Sequence, residues 1–205
     1  MTAERLSHMN NRMAMLAAAH RLFSERGFDG ASVDAIAAAA GVSKPTVYRH
    51  FESKGSLFNA ALQSVLEKLP SAEEIVLERR GPFRQRLIAI AHDVLLLGTG
   101  PLMVSLHRML TLPMDSASHH DQFWDANLQP YLDAMRRLLQ SEYAVGALGV
   151  NDSARAASHF FSLIAGEPMV RLFLTGKTPI AARDVDEHVD AAVDAFLRAY
   201  PRASD

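Results

Sequence analysis

The sequence contains no cysteine, which excludes disulfide bonds and thiolate chemistry. Long apolar runs are also missing: the longest are about ten residues, whereas a transmembrane helix needs roughly 18. The first residues, MTAERLSHMNNRM, are polar and carry neither the apolar core nor the cleavage site of a signal peptide. We therefore expect a cytoplasmic protein that does not enter a membrane.

Neither sign of charge is in large excess, because 21 Lys and Arg residues face 23 Asp and Glu residues. The charges are nevertheless divided unevenly along the chain. The first 70 residues carry eight basic and six acidic side chains, and the remainder carries 13 basic and 17 acidic ones. Since nucleic-acid binding depends on the charge of the contacting face, this division is a weak indication of a nucleic-acid partner for the N-terminal part.

Alternating apolar and polar residues of the kind that predict strands are absent, and no internal repeat is present. Apolar residues instead recur at spacings of three and four, which is typical of helices. The pattern predicts an all-α protein with about nine helices. Those with both ends predicted cover residues 9–26, 33–40, 82–97, 101–112, 118–142, 152–174 and 185–200. Two further helices follow Ser43 and Ser53, the second with an apolar stripe that ends at Leu69.

Several residues predict where these helices begin, end or bend. Ser32, Ser43 and Ser53 can each cap a helix start by accepting a backbone N–H. Gly27 and Gly41 are expected to end the first two helices. The acidic segment 71–82 is interpreted as a connection or a frayed helix end. The two prolines expected to kink or split their helices are Pro130 and Pro168.

The most informative segment is SVDAIAAAAGVSKPTVYRHFESK, residues 32–54, in which two short helices flank a turn that contains Gly41. This is the layout of a helix-turn-helix. Its small core would consist of Ile36, Ala40, Val42, Val47 and Phe51, and the small side chain of Ala37 would let the two helices approach closely. Polar and basic side chains remain for the other face. The alternatives from the residues alone are two helices packed in an ordinary core and a helix-turn-helix that docks another protein.

Residues 13–58 resemble the N-terminal pattern of the TetR family of transcriptional regulators, with LFSERGFDGASVDAIAAAAGVSKPTVYRHFESKGSLF intact. The resemblance implies that the third helix enters the major groove of double-stranded DNA. Residues at positions that meet base edges or the adjacent backbone are then Ser43, Lys44, Pro45, Thr46 and Arg49. Residues at positions that contact the phosphate backbone are Ser32, Tyr48, His50 and Lys54. Family members commonly carry Glu at position 55, so Gly55 should weaken that helix start by about 1 kcal/mol.

The same resemblance implies a division into a DNA-binding domain over residues 1–55 and a helical domain over residues 56–205. The second domain would bind a small-molecule effector and form a homodimer. The function implied is a ligand-responsive repressor that a small apolar or amphipathic effector releases from its operator. A transcriptional activator and a nucleoid-type DNA binder are the alternatives.

Apolar and polar-tipped residues of the second half give candidate positions for the pocket and the dimer interface. The predicted pocket residues are Met103, His107, Phe123, Trp124, Phe160, Phe161, Met169 and Phe173. The predicted interface residues are Phe160, Ile164, Val189, Val193, Phe196 and Leu197. Both sets are equally compatible with an ordinary helical core.

Sequence motifs for catalysis are missing: there is no G-x-S-x-G, no H-E-x-x-H and no phosphate-binding glycine loop. A helical enzyme or small-molecule carrier is therefore a minor alternative, and we expect no cofactor. His119, His120 and Asp121 are adjacent, but neighbouring residues on a helix point about 100° apart and cannot easily share one ion. We expect no metal site.

Overall fold

Helices make up all the regular structure of the computed structural model, which describes residues 3–111, 124–146, 148–149, 152–175 and 184–201. Within these ranges there are nine α-helices, two π-helical turns and no strand, so the all-α prediction is confirmed. The α-helices are α1 Ala3–Gly30, α2 Val33–Ala39, α3 Lys44–His50, α4 Lys54–Leu66, α5 Phe83–Thr99, α6 Pro101–Thr111, α7 Gln129–Ala144, α8 Ser153–Thr175 and α9 Val185–Ala199. The π-helical turns are π1 Glu73–Leu77 and π2 Trp124–Leu128.

The chain divides into two compact units. The first consists of Met1–Leu69 with Ser105–Ser116, and the second of Pro70–Val104 with Ala117–Asp205. The first unit extends beyond residue 55, where the sequence analysis ended the DNA-binding domain. The reason is that the apolar stripe of α4 packs against α1.

The core of the first unit is built around aromatic rings from α1 and α4. Phe58 lies edge-on to Phe23 and Phe28, with ring centroids 5.0 and 5.5 Å apart. The long helical segment of α1 ends at Gly27, as predicted, and a second short segment continues to Gly30 across a kink. At the kink Gly27 has φ of 72°, a left-handed conformation that residues with a Cβ rarely adopt.

The core of the second unit is shared by α5, α7, α8 and α9. Phe160 of α8 and Phe196 of α9 are both fully buried, and their rings meet edge-to-face with centroids 5.2 Å apart. Such aromatic pairs contribute about 0.5–1.5 kcal/mol beyond their buried area. The apolar stripes of the last two helices therefore meet inside one chain.

The acidic segment after α4 forms more structure than the connection or frayed end that was predicted. Ser71 and Glu74 cap each other: the Ser71 N–H donates to the Glu74 carboxylate, and the Glu74 N–H donates to Ser71 Oγ at 3.2 Å. π1 then buries Ile75 and Val76 in the second unit. Because the segment is rich in charged residues, its two core residues were not predicted from the sequence.

The two internal prolines act differently. Pro130 lies in the first turn of α7, where its missing N–H would have had no intrahelical acceptor, so it begins the helix instead of kinking it. Pro168 does accompany a break in α8, at Gly166, as predicted. Because Pro168 has no N–H, the carbonyl of Ile164 loses its usual partner. The imidazole Nε2 of His188 in α9 bonds that carbonyl at 2.9 Å.

In the described part of the chain, no helix taken singly has the length and apolar character needed to cross a membrane. The consecutive helices α5 and α6 reach those limits only when they are joined.

Candidate nucleic-acid interface

The two short helices of the predicted helix-turn-helix begin at the predicted serines. Ser32 Oγ accepts the N–H of Ala35 at 3.1 Å, and Ser43 Oγ accepts the N–H of Thr46 at 3.3 Å. Ser43 Oγ also lies 2.9 Å from Thr46 Oγ1. These contacts satisfy backbone donors that have no intrahelical partner and define where α2 and α3 start.

The turn between α2 and α3 is closed by two backbone hydrogen bonds around Gly41. The Gly41 N–H donates to the Ala38 carbonyl at 3.2 Å, and the Val42 N–H donates to the Ala37 carbonyl at 3.0 Å. This is the Schellman arrangement, which places its glycine in a left-handed conformation; φ of Gly41 is 68°. The turn thereby sets the direction in which α3 leaves α2.

Burial determines which face of α3 is available to a partner. Val47 is 1% exposed, and Ile36 and Ala37 of α2 are buried with it. Phe51, just after α3, is also buried. The polar residues predicted to contact DNA therefore lie mostly on the outer side. Ser32, Ser43, Lys44, Pro45, Tyr48 and Arg49 are exposed, whereas Thr46, His50 and Lys54 are half-buried.

An ion pair that the sequence analysis missed joins the two helices. Lys44 Nζ donates to Asp34 Oδ2 at 2.8 Å, and both side chains remain substantially exposed. This hydrogen bond, reinforced by the carboxylate charge, raises the pKa of Lys44. The pair spans ten residues and depends on the path of the turn, so no local sequence signal pointed to it.

Lys54 has intramolecular contacts that also went unpredicted. Its ammonium lies over the Phe28 ring, 4.6 Å from the centroid, and donates to the Asp29 carbonyl at 3.3 Å. The guanidinium of Arg12 lies over the Phe51 ring at 5.6 Å. By contrast, Arg49 forms no ion pair within the described residues. Of these cations, Arg49 is the one most available to an external anion.

Comparison with known proteins agrees with this geometry over both units. The N-terminal model of the bacterial regulatory proteins of the tetR family matches residues 15–61. The model described as the AefR-like transcriptional repressor, C-terminal domain, matches residues 85–202, more than half of the chain. The chain belongs to the TetR family. The resemblance stated from residues 13–58 is thereby confirmed, and with it the class of transcriptional regulator.

Two curated relatives of this TetR-family protein come from Mycolicibacterium smegmatis. The transcriptional activator FasR is 42% identical over 85 residues, 42% of this chain and 39% of FasR. The transcriptional regulator EthR is 28% identical over 134 residues, 65% of this chain and 61% of EthR. The match therefore covers less than two thirds of the length of either relative.

A solved structure is similar over nearly the whole length. It is the crystal structure of a TetR-family regulator from Mesorhizobium loti, with 25% identity and a TM-score of 0.78. The similarity covers 98% of this chain and 99% of that chain. Regulators of this family bind DNA operators and small-molecule effectors and act as dimers.

The predicted pocket residues occupy different environments in this TetR-family protein. His107 lies in the first unit, and the other described members lie in the second. Phe160 is buried and its ring meets that of the half-buried Phe161. Trp124 and Phe173 are 47% and 38% exposed. Three further predicted pocket residues are half-buried: Met103, His107 and Met169. Phe123 lies outside the described residues.

The predicted interface residues lie almost entirely inside one chain. The side chains exposed by 1% or less are Phe160, Ile164, Val189, Val193 and Phe196. Leu197 is half-buried against the same core. These positions match the ordinary core that the apolar pattern left open as the alternative. An interface on α8 and α9 would have to use their other faces.

Within the described residues, no group of three or more His, Asp or Glu side chains is arranged to hold a metal ion. His119, His120 and Asp121, the adjacent residues considered from the sequence, lie outside the described residues.

Proposed function

We propose that this protein is a ligand-responsive repressor that binds its operator as a homodimer, with α3 in the major groove. The observation that carries the proposal is the outer face of α3. Buried Val47 and the Ser43 cap hold this helix in place, while Lys44, Tyr48 and Arg49 are exposed. Hydroxyl, guanidinium and ammonium groups on one helix suit both base edges and phosphates.

The homodimer is proposed because a single helix-turn-helix reads only a half-site, and two related by a twofold axis read a whole operator. α8 carries exposed apolar side chains: Leu163, Val170 and Leu174 are 40, 57 and 81% exposed. Val170 and Leu174 follow the break at Gly166, and their spacing of four places them on one side of the helix there. A second copy of this chain is the proposed occupant.

Release by an effector is proposed for the second unit, in keeping with the match of its sequence to a repressor C-terminal domain. The similarity to the activator FasR favours activation as the second candidate function. The effector class remains the apolar or amphipathic small molecule expected from the sequence. We assign no catalytic activity, and we place the protein in the cytoplasm because a regulator of this kind acts on chromosomal DNA.

The DNA-binding part of the proposal is tested by titrating the purified protein against duplexes carrying its own upstream region or an unrelated sequence. The wild-type protein is expected to bind the upstream duplex much more tightly. Arg49→Ala should reduce that discrimination, since a bidentate arginine contact to a base is worth about 1–3 kcal/mol. Arg26→Ala, an exposed arginine of α1, serves as the control. Equal weak binding to both duplexes would refute a sequence-specific regulator.

The dimer is tested by light scattering on size-exclusion fractions. Val170→Glu combined with Leu174→Glu should yield monomers, because the charges would be buried against a second copy. Val145→Glu, at a position that is 75% exposed, should leave the dimer intact. A dimer that persists in the double variant would place the interface elsewhere. Transcription from the upstream region in cells with and without the gene distinguishes repression from activation.

A further inference from the structure

The acidic residue Asp34 lies on the same outer surface as the residues proposed to contact DNA. Its side chain is 66% exposed, and its Oδ2 accepts a hydrogen bond from Lys44 Nζ at 2.8 Å. An exposed ion pair of this kind contributes little to folding, because water screens the two charges. Stability alone therefore gives little reason to place a carboxylate where DNA, a polyanion, is expected to approach.

The pair has a clear effect on Lys44. A lysine ammonium is a point charge on a flexible stem with three N–H donors, so an unrestrained lysine can follow any phosphate within reach. Asp34 engages one donor and balances the charge, and the two other donors remain for an external acceptor. Lys44 is also the first residue of α3, where a cation opposes the helix dipole, and the nearby carboxylate offsets that effect.

The second cation of this face is in a different situation. Arg49 is exposed and forms no ion pair within the described residues, so its charge attracts DNA of any sequence. Sequence-independent affinity rises with each cation that can neutralise a phosphate. Restraining Lys44 lowers that contribution while leaving its remaining donors at a defined position.

We infer that Asp34 is a specificity-determining residue, which holds the Lys44 ammonium at one position and so limits its attraction to phosphates of unrelated DNA. From that position Lys44 meets a base-edge acceptor, such as guanine O6 or N7, only in the correct register. Asp34 thus acts through Lys44 and is a positioning residue. The inference rests on the DNA-binding function proposed above.

The test compares Asp34→Asn with Glu25→Gln, because each removes one exposed carboxylate from an ion pair of the first unit. Glu25 pairs with Arg21 within α1. Both variants and the wild type are titrated against the upstream and the unrelated duplex at 50 and 200 mM salt. Asp34→Asn is expected to bind the unrelated duplex more tightly than Glu25→Gln at 50 mM salt, and this advantage should shrink about threefold at 200 mM, the share of one phosphate contact. Its salt dependence should steepen by about one counterion, and its preference for the upstream duplex should fall.

A double-mutant cycle assigns the effect to Lys44. In a Lys44→Met background, Asp34→Asn should change neither the salt dependence nor the preference beyond the Glu25→Gln control. The inference is overturned if Asp34→Asn behaves as Glu25→Gln does, or if it weakens binding to both duplexes with an unchanged salt slope. If the inference fails but the wild-type protein still prefers the upstream duplex, the proposed DNA-binding function stands. A wild-type protein without any preference refutes both the inference and the proposed function.

Discussion

The two units of the chain use their charged residues differently. In the first unit the cations of α3 are at the surface: Lys44 is paired only with the exposed Asp34, and Arg49 forms no ion pair in the described part of the chain. Polar groups near α2 and α3 cap helix starts and leave the outer face chemically available. That arrangement suits contact with an external partner.

In the second unit, arginines of α5 join helices to one another. Arg84 bonds Asp190 and Asp194 of α9, and Arg86 bonds Glu142 of α7 at 2.6 Å. The Arg86 and Glu142 side chains are 17% and 14% exposed. Charge here stabilises the bundle. Basic residues therefore indicate function most clearly where they do not join elements of the same unit to one another.

The largest loss of stability is expected from a substitution in the aromatic core of the first unit. Phe58→Ala should lower the free energy of unfolding by about 3–5 kcal/mol, because a fully buried ring that contacts two others is removed. Far-UV circular dichroism during urea unfolding measures the loss. The fluorescence of Trp124, the single tryptophan, reports on the second unit and should shift less.

Met13→Ala is the control for that change, since Met13 is on α1 but 66% exposed. It should alter the free energy of unfolding by no more than about 0.5 kcal/mol. An equally large effect of both variants would contradict the aromatic core described for the first unit.

The claim that charges stabilise the second unit is tested at the Arg86–Glu142 pair. Glu142→Leu should cost about 3 kcal/mol, because it leaves a mostly buried guanidinium without its carboxylate. Combining it with Arg86→Met should recover most of that loss, since no buried charge remains. Chemical denaturation gives both values. Arg84→Met removes more exposed pairs, which water screens, and should cost clearly less than Glu142→Leu. Similar costs for Glu142→Leu and Arg84→Met would contradict the distinction.

A smaller effect is expected where α9 compensates for the proline of α8. His188→Leu should destabilise the protein by about 1–2 kcal/mol, because the Ile164 carbonyl loses its donor. Pro168→Ala in that background supplies a backbone N–H and should reduce the loss. Both are measured as shifts in the urea midpoint. His92→Leu, at a partly exposed histidine 3.7 Å from Asp186, is the comparison variant. Equal effects of His188→Leu and His92→Leu would contradict the bonding role.

The features of the interface that the sequence predicted are those set by local chemistry. Ser32 and Ser43 cap their helices and Gly41 forms the turn, because each acts on backbone groups within a few residues. The apolar residues inside the helix-turn-helix follow from the same short-range spacing. Local pattern was also sufficient to place the break near Pro168.

What the sequence could not give depends on contacts between distant residues. An apolar stripe does not reveal what covers it, so Val193 and Phe196 fitted an interface as well as the core in which they lie. The acidic residues around Ile75 and Val76 led to the prediction of a connection or a frayed helix end where a π-helical turn forms. The pairing of Lys44 with Asp34 requires the path of the intervening turn.

The smallest expected effect concerns the pH dependence of stability, because the first unit contains a half-buried histidine with an internal partner. His20 Nε2 of α1 lies 2.8 Å from Ser105 Oγ, and burial, together with the charge of Lys68, lowers the pKa of His20 below its ordinary value of 6.5. The unfolded chain therefore binds a proton at His20 more readily than the folded chain, and stability should fall as the pH drops below 6.5. In His20→Gln this fall should be smaller between pH 7.5 and 5.5, as measured by the urea midpoint. Burial also lowers the pKa of His107, which should keep some of the pH dependence in the variant. An unchanged fall in His20→Gln would mean that the pKa of His20 does not differ between the folded and the unfolded chain.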